Sequence, residues 1–561
     1  MKNFLMKHAH IIICTFVLTT LLFISISKEK NQSKLYFYIE SDSGIVKILP
    51  HISSDGRCYV FLPSYAQMEN LHIEIPPEMN IFLNEINLSE QTNFDIFELS
   101  VDYDCVLNNE VTTTLQFLQS ANVATLHIDT VTGTMDAIHE SKLNEEFATI
   151  ALYESNGKLN HLDKACTIKG RGNSTWSYDK KPYSLELSSS SNLLNMGSSS
   201  NWILLANAVD ESNLHNKIIY DLANELHMSG SPDCRYVDVY LNGSYNGLYL
   251  LTTKIEINTN RLDISLNDGD FFGKIELNER LNTLTNPIIT DSGRIIEITE
   301  PKKQTADTSF QFKTLIDEFE KTIYSSSNLS NSTNIDLNSW IKKYLIDEIS
   351  GNIDSDLASS YFYYSGGKFY GGPIWDYDMT FGNCYRNKVP DSFIAKNYYK
   401  SNTHTSPYYN ALYNNNSFYT QMVEIYQQEF LPLLEVLINN SIVTTADSIA
   451  ASSYMNSIRW ADSFYKLYTQ IGISSSSADT IINYLQARLT FLNDVWINGT
   501  EYCSVQIEPD HGFDYKNLSV KKGTTLNTSY IDLSQSWINK YTGEFFDPNK
   551  PITEDIILVL P

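Results

Sequence analysis

The stretch GPIWDYDMTFGN, residues 372–383, sets two carboxylates, Asp376 and Asp378, two positions apart between a Trp and a Gly. In an extended chain alternate side chains share a face, so Asp376 and Asp378 point one way and Trp375, Tyr377 and Met379 the other. Two like charges that close repel each other. A divalent cation held by hard oxygen ligands relieves the repulsion and keeps both carboxylates ionised. The spacing therefore predicts a metal-holding pair at the end of a strand.

Upstream, DEISGNIDSDLASSYFYY (347–364) reads as a helix that ends near Gly351 and gives way to Asp354 and Asp356 before a β-hairpin. An Asp just past a helix is commonly a cap or a turn residue. Further upstream, KGRGNSTWSYDKKPYSLEL (169–187) places Gly170 and Gly172, which free the backbone to present N–H groups, beside Asn173, Ser174 and Thr175, which add donors. Lys180 and Lys181 then lead into a strand. Such a loop makes an anion cradle, and a following lysine can neutralise phosphates; a plain turn with two surface lysines is the competing reading. The order is informative: glycine loop with lysines, helical part with a loop aspartate, carboxylate pair before Phe-Gly. Protein kinases arrange the parts for phosphoryl transfer in this order, and there positioning and charge neutralisation do nearly all the work.

Composition agrees with a large folded protein. The chain has 561 residues, 42% hydrophobic and 12% aromatic, enough for two or three domains. With 66 acidic against 40 basic residues the formal charge is -26, which disfavours DNA or RNA as partner.

Lys2 and Lys7 precede an uncharged apolar run over residues 11–27, about one bilayer crossing long. This predicts a signal anchor in residues 1–32, with export of the remainder and attachment to a membrane at the cell or spore surface. Beyond Cys14, six cysteines (Cys58, Cys105, Cys166, Cys234, Cys384 and Cys503) are widely spread with no C-x-x-C pair, so no zinc site is indicated. Disulfides and free buried thiols both remain open.

Short alternating segments such as KLYFYI (34–39) and RCYVFLP (57–63) predict a β-sandwich-like domain over 33–123. Strands and helices mix next, with Asn242-Gly243 in YLNGSYNGLYL marking a tight hairpin. Helical spacing dominates from residue 309, notably over 310–324, 337–353, 418–438 and 478–497. A strand-rich half before a helix-rich half predicts an α+β domain of two lobes over 124–499. Residues 383–416 read as a long loop, and 500–561 as a small β-rich module.

The blocks GRGNSTW…KKPY, WILLANAVDESNLHNKIIYDLANEL (202–226), YVDVYLNGSYNGLYLLTTKIEI (236–257) with RLDI, and GNID…GPIWDYDMTFGN resemble, in that order, the CotH family of atypical spore-coat protein kinases. The resemblance spans about residues 124–383. It implies a bilobal kinase-like fold with a strand-rich N-lobe and a helical C-lobe, flanked here by small β-domains. It also implies an enzyme that uses ATP and Mg²⁺ to phosphorylate Ser or Thr of a coat or surface protein. Carried over, it assigns ATP to the loop of Gly170, Arg171, Gly172, Asn173 and Ser174 with Lys180 or Lys181, catalysis to Asp354, and Mg²⁺ to Asp376 and Asp378. Lys181 is preferred, because it shares a strand face with Tyr183, Leu185 and Leu187. Two positions depart from the family pattern: His215 stands where an Arg is usual and Thr253 where a Glu is usual. Joint loss of both partners of an ion pair leaves no orphan charge. The ending YTGEFFDPNKPITEDIILVLP (541–561) resembles one unit of a Listeria–Bacteroides surface repeat.

Two rival readings compete with the kinase. One is a catalytically silent surface protein that keeps the fold for binding. The other takes D-x-D as the metal site of a nucleotide-sugar glycosyltransferase, although no nucleotide-binding βαβ pattern precedes it.

Overall fold

Alternation of apolar and polar side chains governs the first half of the chain. In the strand Tyr183–Asn192, Tyr183, Leu185 and Leu187 are buried while Glu186 and Ser188 face out. The computed structural model describes residues 35–561 apart from 92, 109–110, 268, 326–327, 396–406, 472 and 509–515. Contacts divide it into two compact units. One holds the described residues up to Ala208 with Arg235–Thr252 and Asp447–Tyr465; the other holds Val209–Cys234, Thr253–Ala446 and Lys466–Pro561.

In the first unit, seven strands close into a barrel in the spatial order Ala124–Thr130, Glu145–Tyr153, Leu159–Gly170, Tyr183–Asn192, Ser198–Leu205, Ser244–Thr253, Cys234–Leu241. The hairpin turn falls at Asn242 (φ 51°) and Gly243 (φ 81°), the two positive angles that a type I′ turn requires. Closure comes from a parallel pairing, Ala124 opposite Val237 through Ile128 opposite Leu241. Leu126, Ile150, Ile168, Leu185, Trp202 and Val239 fill the interior, as expected of a barrel this small. Residues 35–119 supply a three-stranded and a six-stranded sheet. Their core includes Phe37, Phe94 and Phe117, and it continues into Tyr240, Tyr245 and Met455.

The second unit is built on a five-stranded sheet in the order Pro287–Ile289, Ile295–Glu300, Phe271–Glu276, Ser360–Ser365, Lys368–Gly371. Helix Leu337–Ser350 packs on the last of these strands. Asp336 caps its N-terminus, accepting a hydrogen bond from the Ser339 N–H. Gly351, at φ 66° and ψ 42°, ends it in the left-handed conformation. Helices Ala306–Ser325 and Ala478–Trp496 fall where the apolar spacing places them. A four-stranded sheet over Tyr502–Val559 follows.

The α+β class holds, but the strand-rich part closes into a barrel that the sequence reading did not contain. Residues 383–416 are not wholly loop, since Pro407–Tyr413 is helical. Cys58, Cys105, Cys166, Cys234, Cys384 and Cys503 are all free and buried. The membrane expectation is corrected. Among the described residues no helix is long and apolar enough to cross a membrane, and the run at 11–27 lies outside them. Neither a membrane partner nor a membrane-anchored location is carried forward.

Candidate active site

Asp376 and Asp378 do not lie on a strand. The sheet ends at Gly371, and Asp376 takes φ 72°, in the left-handed region that non-glycine residues seldom occupy. The expected sidedness is seen only at Tyr377, since Trp375 and Met379 are half-buried like the two aspartates. Tyr377 is buried between two half-buried aspartates, its hydroxyl donating to Asp347 Oδ1 at 2.6 Å and its N–H to Asn216 Oδ1 at 2.9 Å. Trp375 stacks on Tyr220, with ring centroids 6.0 Å apart. The Asp378 carbonyl accepts from His215 Nδ1 at 3.1 Å and from Asn383 Nδ2 at 2.8 Å. Helix His215–Glu225 thus contributes its first two residues to holding the D-Y-D stretch.

Asp354 follows from the way helix Leu337–Ser350 stops. The Asn352 N–H bonds the Asp347 carbonyl, its side-chain amide bonds Asp347 Oδ1 at 2.8 Å, and its Oδ1 accepts the Asp354 N–H at 3.0 Å. The Asp354 carbonyl in turn accepts from the N–H groups of Leu357 and Ala358. This turn leaves the Asp354 carboxyl half-buried and close enough to Asp376 to feel its charge. Burial, then repulsion from Asp376, pushes its pKa up to about 6, against the pull of Arg280 and Arg386. Asp378 is raised well above the carboxylate range, by burial first and then by Asp376, Asp354 and Asp210. Three carboxyls from two loops therefore share one field within the second unit.

Asp356 has a different part. It is buried, paired with Arg294 at 2.9 Å, and accepts the Tyr408 N–H at 3.0 Å, so it anchors the turn.

Among the described residues no group of three or more His, Cys, Asp or Glu side chains is set to hold a metal ion. The donor set still suits Mg²⁺, which takes one or two carboxylates and draws its remaining ligands from phosphates and water. Carboxyls this close repel one another, and a divalent cation would relieve that repulsion.

The glycine loop belongs to the first unit. Gly170 ends the strand Leu159–Gly170, and a Cβ there would lie 2.3 Å from the Trp176 ring. Gly172 has φ 89°. The two glycines thus make room for Trp176 and turn the chain. The Arg171 N–H bonds the Pro182 carbonyl, and Asn173 and Ser174 lead into the short turn Ser174–Ser177. Lys180 is the more buried lysine, donating to the Leu248 carbonyl at 2.6 Å. Lys181 precedes the strand instead of sharing its inner face. Its ammonium turns back onto the carbonyls of Trp176 (2.9 Å) and Tyr178 (3.2 Å) and lies over the Trp176 ring.

A protein-family model described as CotH kinase protein matches residues 168–492, more than half of the chain. The chain belongs to the CotH kinase family. No curated protein matches it. The CotH match takes in the glycine loop, Asp354 and the D-Y-D stretch, and leaves out residues 35–167 and 493–561. At the two positions that depart from the CotH pattern, His215 is buried and bonds the Asp378 carbonyl. The Thr253 N–H donates to the Asp233 carbonyl at 3.0 Å, and the Thr253 hydroxyl accepts the Asp233 N–H at 3.0 Å.

Sequence reasoning missed Asp347, Glu348, Asn383 and Arg488. Asp347 also accepts from Lys343 and Tyr409, and Arg488 pairs with Glu348 where both side chains are fully buried. A signal existed: Asp347 and Glu348 stand in the last turn of the helix, the end at which the macrodipole disfavours negative charge.

Proposed function

We propose that this CotH protein is an active protein kinase that transfers the γ-phosphoryl group of ATP to a Ser or Thr hydroxyl of a protein, such as a coat or surface protein. The observation that carries the reading is the convergence of Asp354 with Asp376 and Asp378, whose two loops are tied together at Asp347 through Asn352 and Tyr377. A carboxylate set beside the metal-holding pair is placed to accept the proton of an incoming hydroxyl. In the step proposed, the acceptor oxygen bonds to the γ-phosphorus as the bond to the β-bridging oxygen breaks. ADP departs with that electron pair, and Asp354 takes the hydroxyl proton.

Asp376 and Asp378 are the residues that would hold Mg²⁺, whose contribution is to neutralise charge on the β- and γ-phosphate oxygens. The glycine loop from Gly170 to Ser174, with Lys180 or Lys181, is assigned to the nucleotide on family resemblance. Both ammoniums meet main-chain carbonyls, Lys180 that of Leu248 and Lys181 those of Trp176 and Tyr178; Lys181 is the less buried of the two and is the one proposed for phosphate.

Incubating the purified chain with γ-labelled ATP, Mg²⁺ and a mixed protein acceptor tests the reading. Label on Ser or Thr that disappears with Asp354→Asn supports it. Label in a sugar product, or MgATP binding without transfer to any acceptor, contradicts it.

A further inference from the structure

The Asp378 carbonyl is gripped from two sides. His215 Nδ1 lies 3.1 Å from it and Asn383 Nδ2 lies 2.8 Å from it. A carbonyl only accepts, so Nδ1 carries the proton. Nε2 meets the Ser476 hydroxyl at 2.8 Å, with Asp210 Oδ1 3.5 Å away. The main-chain N–H of His215 donates to Asp210 Oδ2 at 2.8 Å, which fixes the residue at the start of its helix. Asn383 is likewise unambiguous, because its amide N–H groups serve two carbonyls, those of Asp378 and, at 3.1 Å, Val209. Both side chains are almost wholly buried, His215 at 0% and Asn383 at 2% exposure. Phe381 meets the His215 ring edge-on, centroids 5.2 Å apart.

These bonds go to the main chain of the residue, not to its carboxylate. Main-chain clamping fixes where the side chain emerges without itself occupying the carboxylate oxygens. The need for it is local. Asp376 sits at a positive φ and Asp378 opens a turn, so no strand or helix ladder holds this backbone.

We propose that His215 and Asn383 are positioning residues for the Asp378 carboxylate: their two N–H donors fix the Asp378 main chain so that the carboxylate meets the metal without rearrangement. The proposal rests on the metal role of Asp378 put forward above. Partners that orient a metal ligand typically contribute about ten- to a hundredfold in metal affinity. On this account the histidine at position 215 is a working replacement with its own bond to the site, not a sign of lost function.

The test is binding of Mn²⁺ to the full chain in the presence of ATP, followed by the paramagnetic resonance of free Mn²⁺, with metal-free ATP binding measured alongside. His215→Phe keeps the ring and its contact with Phe381 but removes the donor. His215→Asn retains an N–H donor at the Nδ1 position. The expected results are about tenfold or greater weakening of Mn²⁺ binding in His215→Phe and in Asn383→Leu, recovery of most of it in His215→Asn, and unchanged metal-free ATP binding. Should His215→Phe not fold, Ser476→Ala is read in its place; it frees the imidazole and is expected to weaken Mn²⁺ binding in the same direction by a smaller factor. If Asp378→Asn abolishes Mn²⁺ binding while the His215, Ser476 and Asn383 variants bind it as the parent does, the clamp is overturned and the metal role stands. Weakening of Mn²⁺ and metal-free ATP binding by equal factors also overturns it. If Asp378→Asn itself binds Mn²⁺ normally, the metal role fails and the clamp falls with it.

Discussion

The Tyr377 hydroxyl donates to Asp347 Oδ1 at 2.6 Å, which ties the middle residue of the D-Y-D stretch to the last turn of helix Leu337–Ser350. Asn352 donates to the same oxygen and also accepts the Asp354 N–H, so Asp347 braces the two loops that carry the three half-buried aspartates. Tyr377→Phe removes one donor from a buried carboxylate and leaves the ring in place. It is expected to destabilise the protein by about 1–3 kcal/mol, the range for a charged hydrogen-bond acceptor losing a partner. Urea unfolding of the two proteins side by side checks this.

The pairing of Arg488 with Glu348 is of a different kind. Both side chains are fully buried, and the guanidinium also reaches the carbonyls of Glu348, Pro390 and Ser392. Arg488→Met removes the arginine from a buried Glu348 carboxylate that also accepts the Ile394 N–H and the Tyr344 hydroxyl. A loss of about 3–5 kcal/mol is expected, and Glu348→Gln added to Arg488→Met should restore part of it. Chemical denaturation midpoints of the single and double variants measure both effects.

Asp354 gives the site a pH signature. Its pKa is about 6 in the folded protein against 3.8 unfolded, so between those values the folded state binds the extra proton. Without metal, stability therefore falls as pH rises through that window, and the penalty is absent below about pH 4. Asp354→Asn should raise the metal-free melting temperature above pH 6, by an amount on the order of 1–2 kcal/mol after allowing for partial exposure, and lose the advantage near pH 4. Melting curves between pH 4 and 8 with a chelator present decide it.

Much of this architecture could be read from local pattern. The helices Ala306–Ser325 and Ala478–Trp496 follow from apolar spacing, and the Asn242-Gly243 turn from the two residues that tolerate positive φ. The barrel was not legible, because its closing pair joins Ala124–Thr130 to Cys234–Leu241 in parallel, across a separation that no local signal encodes. The extended geometry assumed for Asp376 failed because a left-handed aspartate leaves no trace in residue alternation. Tyr377 is drawn inward by its bond to Asp347, while Trp375 and Met379 are half-buried like the aspartates. Alternation carried back past Pro182 puts Lys181 on the strand face of Tyr183, Leu185 and Leu187, whereas the strand begins at Tyr183.

Calorimetric titration of MgATP into the parent chain and into Asp376→Asn, Asp378→Asn and Asp354→Asn, beside phosphotransfer rates, tests the division of labour most directly. If Asp376 and Asp378 hold the metal and Asp354 serves the acceptor hydroxyl, the first two variants weaken Mg²⁺-dependent ATP binding. Asp354→Asn then binds MgATP nearly as the parent does while its transfer rate falls about a hundredfold or more. Equal loss of MgATP binding in all three variants, or unaltered binding in all three, would contradict the account.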